Sequence, residues 1–190
     1  MKNKTIISII LIIILILTIF LGIFRKDIIK LFYPKPFYEI VSTYSKEYDV
    51  DENLIYAVMK AESNFDERAV SNKSALGLMQ IMEETARDVV KKHNINIKND
   101  ITKEEMKDIK NNINIGTKYL SILLDRYKNI PVSIAAYNAG IGTVDNWIEK
   151  GIINKDGSNI EKIPYKETNN YVRKTIRNYK EYEKIYKTEK

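Results

Sequence analysis

Hydrophobic and polar positions divide the chain abruptly. From Thr5 to Phe24 no side chain is charged, and isoleucine and leucine dominate. At about 1.5 Å per residue this run reaches about 30 Å, the thickness of a bilayer's hydrocarbon core. It passes from Leu21-Gly22-Ile23-Phe24 directly into Arg25-Lys26, without the small residues that precede a signal-peptide cleavage site. The pattern predicts an uncleaved transmembrane anchor over residues 5–24. Residues 1–4 are then a cytoplasmic tail, and 25–36 a linker stiffened at its end by Tyr33-Pro34-Lys35-Pro36.

Beyond the linker the apolar period is helical almost throughout, and residues 37–190 read as one all-α domain. Phe37 to Tyr48 is one short helix. Asp51 is placed to cap a helix running to about Ser63, with Leu54, Ile55, Val58 and Met59 on one side. Glu83 to Lys92 is a further helix, and Thr102-Lys103-Glu104-Glu105 has capping-box spacing. Asn112 to Tyr127 follows, with Ile115, Tyr119, Ile122 and Leu123 as its stripe. Pro131 suits the first turn of the next helix, which Gly140 ends. Thr143 is positioned to cap a helix carrying Trp147 that stops at Gly151. Residues 151–162 have no period and read as loop, and Tyr165 to Tyr186 closes the chain as a long helix. No strand pattern of useful length and no internal repeat is present.

Composition narrows the chemistry. Cysteine is absent, which removes disulfides, thiolate metal sites and cysteine nucleophiles together. The single histidine, His93, sits in a polar run at a helix end and reads as solvent-exposed, so neither a Ser-His-Asp triad nor a histidine-rich metal site is expected. No metal and no cofactor is anticipated. The net charge of +6 is concentrated near the amino terminus. Residues 1–37 hold six basic side chains against Asp27 alone, leaving 25 basic and 24 acidic groups in the remainder. Cations flanking an apolar helix suit anionic headgroups, and a nearly neutral domain gives no support to a nucleic-acid partner.

What remains for chemistry is carboxylates, amides and phenols. Glu62 follows Ile55 by seven, Val58 by four and Met59 by three, which puts it on the apolar face of its helix. A carboxyl held there tends to keep its proton, as a general acid must, and Glu62 is expected to titrate above the free value of about 4.3. By position alone the favoured reading is a helix-terminal glutamate whose stem packs while its head reaches water. Gly77-Leu78-Met79-Gln80 combines a glycine permitting close approach, an adaptable apolar methionine and an amide, although Leu78 and Met79 also suit a core. Ala136-Tyr137-Asn138-Ala139-Gly140 crowds a phenol and an amide at a helix end. Within Glu167-Thr168-Asn169-Asn170-Tyr171-Val172, Glu167 and Tyr171 share a helix face.

These four motifs, in this order, resemble those of the soluble lytic transglycosylase (SLT) family, relatives of goose-type lysozyme that cleave peptidoglycan. The resemblance covers roughly Phe37 to Tyr182 and implies a lysozyme-like all-α fold. It implies that Glu62 is the sole catalytic acid and base, protonating the oxygen between N-acetylmuramic acid and N-acetylglucosamine. The acetamido group supports the charge developing at C1, and Glu62 then takes the proton of the C6 hydroxyl as that oxygen closes a 1,6-anhydro ring. It further implies a supporting role for Glu167 and a hydrogen bond from Tyr171 to the acid. Ser63, Gly77, Leu78, Met79, Gln80, Ala136, Tyr137 and Asn138 are implied to hold the glycan. Ordinary glycosidases use two carboxylates; a lysozyme-like hydrolase with Glu167 or another acid activating water, or a non-catalytic wall-binding module, are the alternatives on the same fold. The implied partner is peptidoglycan, met by a monomer whose amino terminus is cytoplasmic and whose domain faces the wall. The flanking cations do not choose that orientation, because they lie on both sides of the apolar run.

Overall fold

The computed structural model describes residues 2–93, 95, 97 and 101–187, with the backbone alone for 2–5, 21 and 26. The expected cytoplasmic tail therefore has no described side chain, and Lys26 of the flank likewise lies outside the description. Two compact units are present, one of residues 35–183 and one of the stretch through Pro34 together with the chain from Lys184 onward.

The smaller unit contains α1 (Lys2–Ile23) and α2 (Arg25–Phe32). The linker expected over 25–36 is thus helical as far as Phe32. In α1 the side chains of Ile6 to Phe20 are all exposed, the large ones by half or more. Among the described residues no helix is long and apolar enough to cross a membrane. Within this unit the Tyr186 hydroxyl donates to the Tyr33 carbonyl at 2.8 Å, and the Lys30 ammonium lies 5.7 Å from the Tyr186 ring centre.

The larger unit is built from α3 (Tyr38–Tyr48), α4 (Glu52–Glu62), α5 (Glu83–Lys92), α6 (Lys103–Lys107), α7 (Ile109–Tyr127), α8 (Ile130–Ala139), α9 (Ile141–Glu149) and most of α10 (Lys166–Tyr186). The axis of the unit is α7, which packs against α3, α5, α6 and α8. From Asn112 to Thr117 every side of α7 is buried. Helix starts follow local chemistry. Asp51 accepts from the Asn53 amide at 2.7 Å, and Thr102 and Glu105 form the expected capping box. Asp108 accepts from the Asn111 amide at 2.9 Å, which starts α7 three residues before the apolar stripe suggests.

Two expectations at helix boundaries fail. Thr143 lies inside α9, which starts at Ile141 because Gly140, at φ +87°, ends α8 and opens α9 in one residue. Residues 160–162, expected as loop, form a short 3-10 turn. Between α4 and α5 the chain folds back on itself through isolated antiparallel bridges, Val70 with Leu76 and Leu76 with Ile81. His93 is the exposed C-terminal cap of α5, as expected.

Candidate active site

Glu62 closes α4, a helix buried from Leu54 to Met59. The residue is half-buried. Loss of hydration lifts it from its ordinary value of 4.5 to about 7, outweighing the Tyr171 hydroxyl and the Lys174 ammonium, which pull it down; the Glu167 carboxylate adds a smaller upward push. The expectation of a carboxyl that keeps its proton near neutrality is met, and burial is the cause.

Two phenols face this carboxyl. Tyr171, on α10, is 8% exposed, and its hydroxyl is buried without a hydrogen-bond partner of ordinary geometry. Its interaction with Glu62 is nonetheless the largest influence favouring the ionised acid. Tyr137, on α8, donates to the Met79 carbonyl at 2.9 Å and packs its ring 5.3 Å from that of Tyr119. Burial and the nearby Glu62 charge raise both phenols well above their ordinary range, so they remain donors at any physiological pH. Glu167 is different. It is exposed, 3.6 Å from Lys73 in an ion pair, and it shares one face of α10 with Tyr171.

The segment from Ser63 to Ile81 is held by side chains from four directions. The Ser63 hydroxyl donates to the Leu78 carbonyl at 2.8 Å and accepts from the Phe65 amide at 3.1 Å, bracing Asn64 and Phe65 in left-handed conformation at φ +50° and +70°. The Gln80 amide nitrogen donates to the carbonyls of Gly77 and Ala69 at 2.8 and 3.1 Å. From α7, Asn112 accepts from the Met79 amide at 2.8 Å and donates to Leu76 and Met106 at 2.9 and 2.8 Å. From α8 comes the Tyr137 hydroxyl.

This geometry corrects several expected contacts. Leu78, Met79 and Ala136 are at most 1% exposed, so their side chains cannot meet a ligand. Met79 fills the space against Gly116, where an added Cβ would stand 2.5 Å from its sulfur. Gly77 is required at φ +73° because a Cβ there would stand 2.5 Å from the Asn112 amide, so the close approach comes from α7. The carbonyls from Leu76 to Met79 and the Gln80 amide nitrogen are all paired within the fold, which leaves the amide oxygen of half-buried Gln80. Asn138 accepts from Thr168 at 2.7 Å, tying α8 to α10, while its amide nitrogen makes no hydrogen bond among the described residues.

Sequence reasoning missed Asn112, Tyr119, Thr168 and Lys174. The readable signals were an asparagine within the apolar helix and a lysine one turn beyond Tyr171 on the same face. Among the described residues no three His, Asp or Glu side chains converge as a metal-binding group would. The assembled groups can donate a proton, take one back, and offer phenol and amide hydrogen bonds around an extended polar ligand.

The transglycosylase SLT domain family matches residues 39–159, ending before α10. The soluble lytic murein transglycosylase of Escherichia coli K12 is 32% identical over 146 residues, 76% of this chain and 22% of that protein. A membrane-bound lytic murein transglycosylase C of Photorhabdus laumondii is 41% identical over 109 residues, 53% of this chain and 30% of that protein. Among solved structures, the inactive Glu→Gln mutant of the Pseudomonas aeruginosa lytic transglycosylase Slt superposes with a TM-score of 0.73 at 28% identity, covering 82% of this chain and 25% of that one. A 70-kDa soluble lytic transglycosylase complexed with bulgecin A gives 0.74 at 31%, covering 80% and 25%. The chain thus spans less than a third of the length of these curated relatives.

Proposed function

Because the chain belongs to the transglycosylase SLT domain family, we propose that it is a peptidoglycan lytic transglycosylase with Glu62 as its acid and base. The observation that carries this is a single half-buried carboxyl, lifted to about 7, between two phenols that stay protonated. Protonated Glu62 donates to the oxygen between N-acetylmuramic acid and N-acetylglucosamine, and that bond breaks. The C6 hydroxyl attacks C1, its proton passes to Glu62, and the acid is restored with no water consumed. Tyr171 supplies a hydroxyl beside the carboxylate during the interval when it is charged, while the Tyr137 hydroxyl stays committed to the Met79 carbonyl. The name of the Pseudomonas structure, an inactive mutant with glutamine in place of one glutamate, agrees with chemistry resting on one carboxyl.

Glu167 is poorly placed to be a second catalytic acid, being exposed and paired with Lys73. Mass spectrometry of digested peptidoglycan tests the reading. Anhydro ends, one water lighter than hydrolysed ends, are expected from wild type and are lost by roughly 100-fold or more in Glu62→Gln. Reducing ends from wild type would make the protein a muramidase, and binding without product would make it a wall-binding module.

The same reading makes α1 an anchor, supported by its continuous apolar exposure and by membrane-bound proteins among the relatives. A monomer with its amino terminus in the cytoplasm and its domain against the wall follows. Protease added to wall-less cells should remove the domain, and its protection would overturn this topology.

A further inference from the structure

The face of α10 that carries Glu167 and Tyr171 carries one more group in register. Lys174 lies three residues beyond Tyr171 and seven beyond Glu167, so the three share a stripe. Its ammonium donates to the Ala61 carbonyl at 2.7 Å, the residue immediately before Glu62. That carbonyl belongs to the last turn of α4, where no amide of the helix is available to it. A cation at this end also meets the negative pole of the helix.

We propose that Lys174 is a positioning residue for Glu62, clamping the last turn of α4 through the Ala61 carbonyl and standing as the counter-charge when Glu62 ionises. The inference rests on Glu62 being the catalytic acid. From α10, Glu62 is faced by Tyr171, Lys174 and Glu167; from α8, by Tyr137. Lys73, from the segment between α4 and α5, pairs with Glu167 at 3.6 Å. Lys60, on α4 itself, stands near Lys174 and reaches Asn64 at 3.3 Å. Lys174 thus both holds the carbonyl of the residue before the acid and acts on the acid's charge. A general acid must be regenerated each turnover, and an ammonium fixed beside it favours the charged interval without moving.

The test uses the full-length protein on purified sacculi and reads the pH dependence of anhydro-end formation. Removing the cation disfavours ionised Glu62, so in Lys174→Met and Lys174→Gln the alkaline limb moves to higher pH. In Lys174→Met, which also loses the donor to Ala61, kcat falls by up to about 100-fold, the cost of an ångström-scale misplacement, while KM changes little. Lys174→Arg restores both kcat and the limb. A limb that stays in place in both neutral variants overturns the proposal, and so does a loss of activity that tracks only a lower melting temperature. Carbon-13 NMR titration of the Glu62 carboxyl in wild type and Lys174→Gln gives the same answer without turnover. If wild type released no anhydro ends, the proposed function would fail while this titration still decided the role of Lys174.

Discussion

The segment between α4 and α5 and the inner face of α10 meet Glu62 from different regions of the chain, and they are built on opposite terms. In the first, nearly every polar group is paired: Ser63, Gln80, Asn112 and Tyr137 together hold the backbone from Phe65 to Met79. In the second, polar groups are buried and left short. Three of the four buried side-chain atoms without a partner among the described residues, Tyr171 OH, Thr175 Oγ1 and Asn178 Nδ2, lie on α10. An unpaired buried hydroxyl costs about 1–3 kcal/mol. The first wall is thus pinned by its hydrogen bonds, while the second keeps a buried phenol beside Glu62. Stability is invested in one wall of the site and chemistry in the other.

The contrast breaks most visibly at Asn112. Asn112→Ala leaves the Met79 amide and the Met106 carbonyl unpaired in the core and takes one of two donors from the Leu76 carbonyl, a loss of about 3 kcal/mol. In a domain of this size that lowers the melting temperature by about 6 °C or more by calorimetry. A drop of only a degree or two would mean the segment is held by its bridges instead. Tyr171→Phe should do the reverse. It removes no hydrogen bond of ordinary geometry, so the melting temperature stays within about 2 °C, while kcat falls by roughly ten- to a hundredfold, the worth of a hydrogen bond to a charged group. An equal loss in both measurements would erase the distinction between the two walls.

The smallest effect sharpens the cause of Glu62's acidity. Its value in the fold, about 7, lies above the ordinary 4.5. The fold therefore favours the protonated form, and that contribution is present in full below pH 4.5 and lost as pH rises through 7. Glutamine imitates the protonated form at every pH. Glu62→Gln should melt with wild type below pH 4.5 and a few degrees above it at pH 8, with each kcal/mol worth about 2–4 °C. Coincident melting curves at pH 8 would show a carboxyl that solvent reaches freely.

Helices were largely legible because each is punctuated by local chemistry: Asp51 before α4, Thr102 and Glu105 at α6, Pro131 in α8. The α8–α9 junction was not, since Gly140 ends one helix and opens the next without a polar cap. At the site, spacing put Glu62 on the apolar face of its helix, and only the resemblance to the SLT family grouped Tyr137 and Tyr171 with it. The direction of Met79 and Leu78 was not legible, because a turn with Gly77 at φ +73° decides which way each side chain points, and periodicity carries no information there. Asn112 was hidden for a related reason: its three partners lie on two segments that only the tertiary fold brings to it.

Trp147 is the chain's lone tryptophan, 3% exposed on α9, with its indole edge-on to Tyr165 at 5.1 Å. Tyr165 immediately precedes the helix that carries Glu167, Tyr171 and Lys174. Excitation of a single indole therefore reports optically on the threshold of α10. Any sugar chain or inhibitor that shifts this threshold would register as a change in emission colour or lifetime, with no dye attached and no thiol to be introduced.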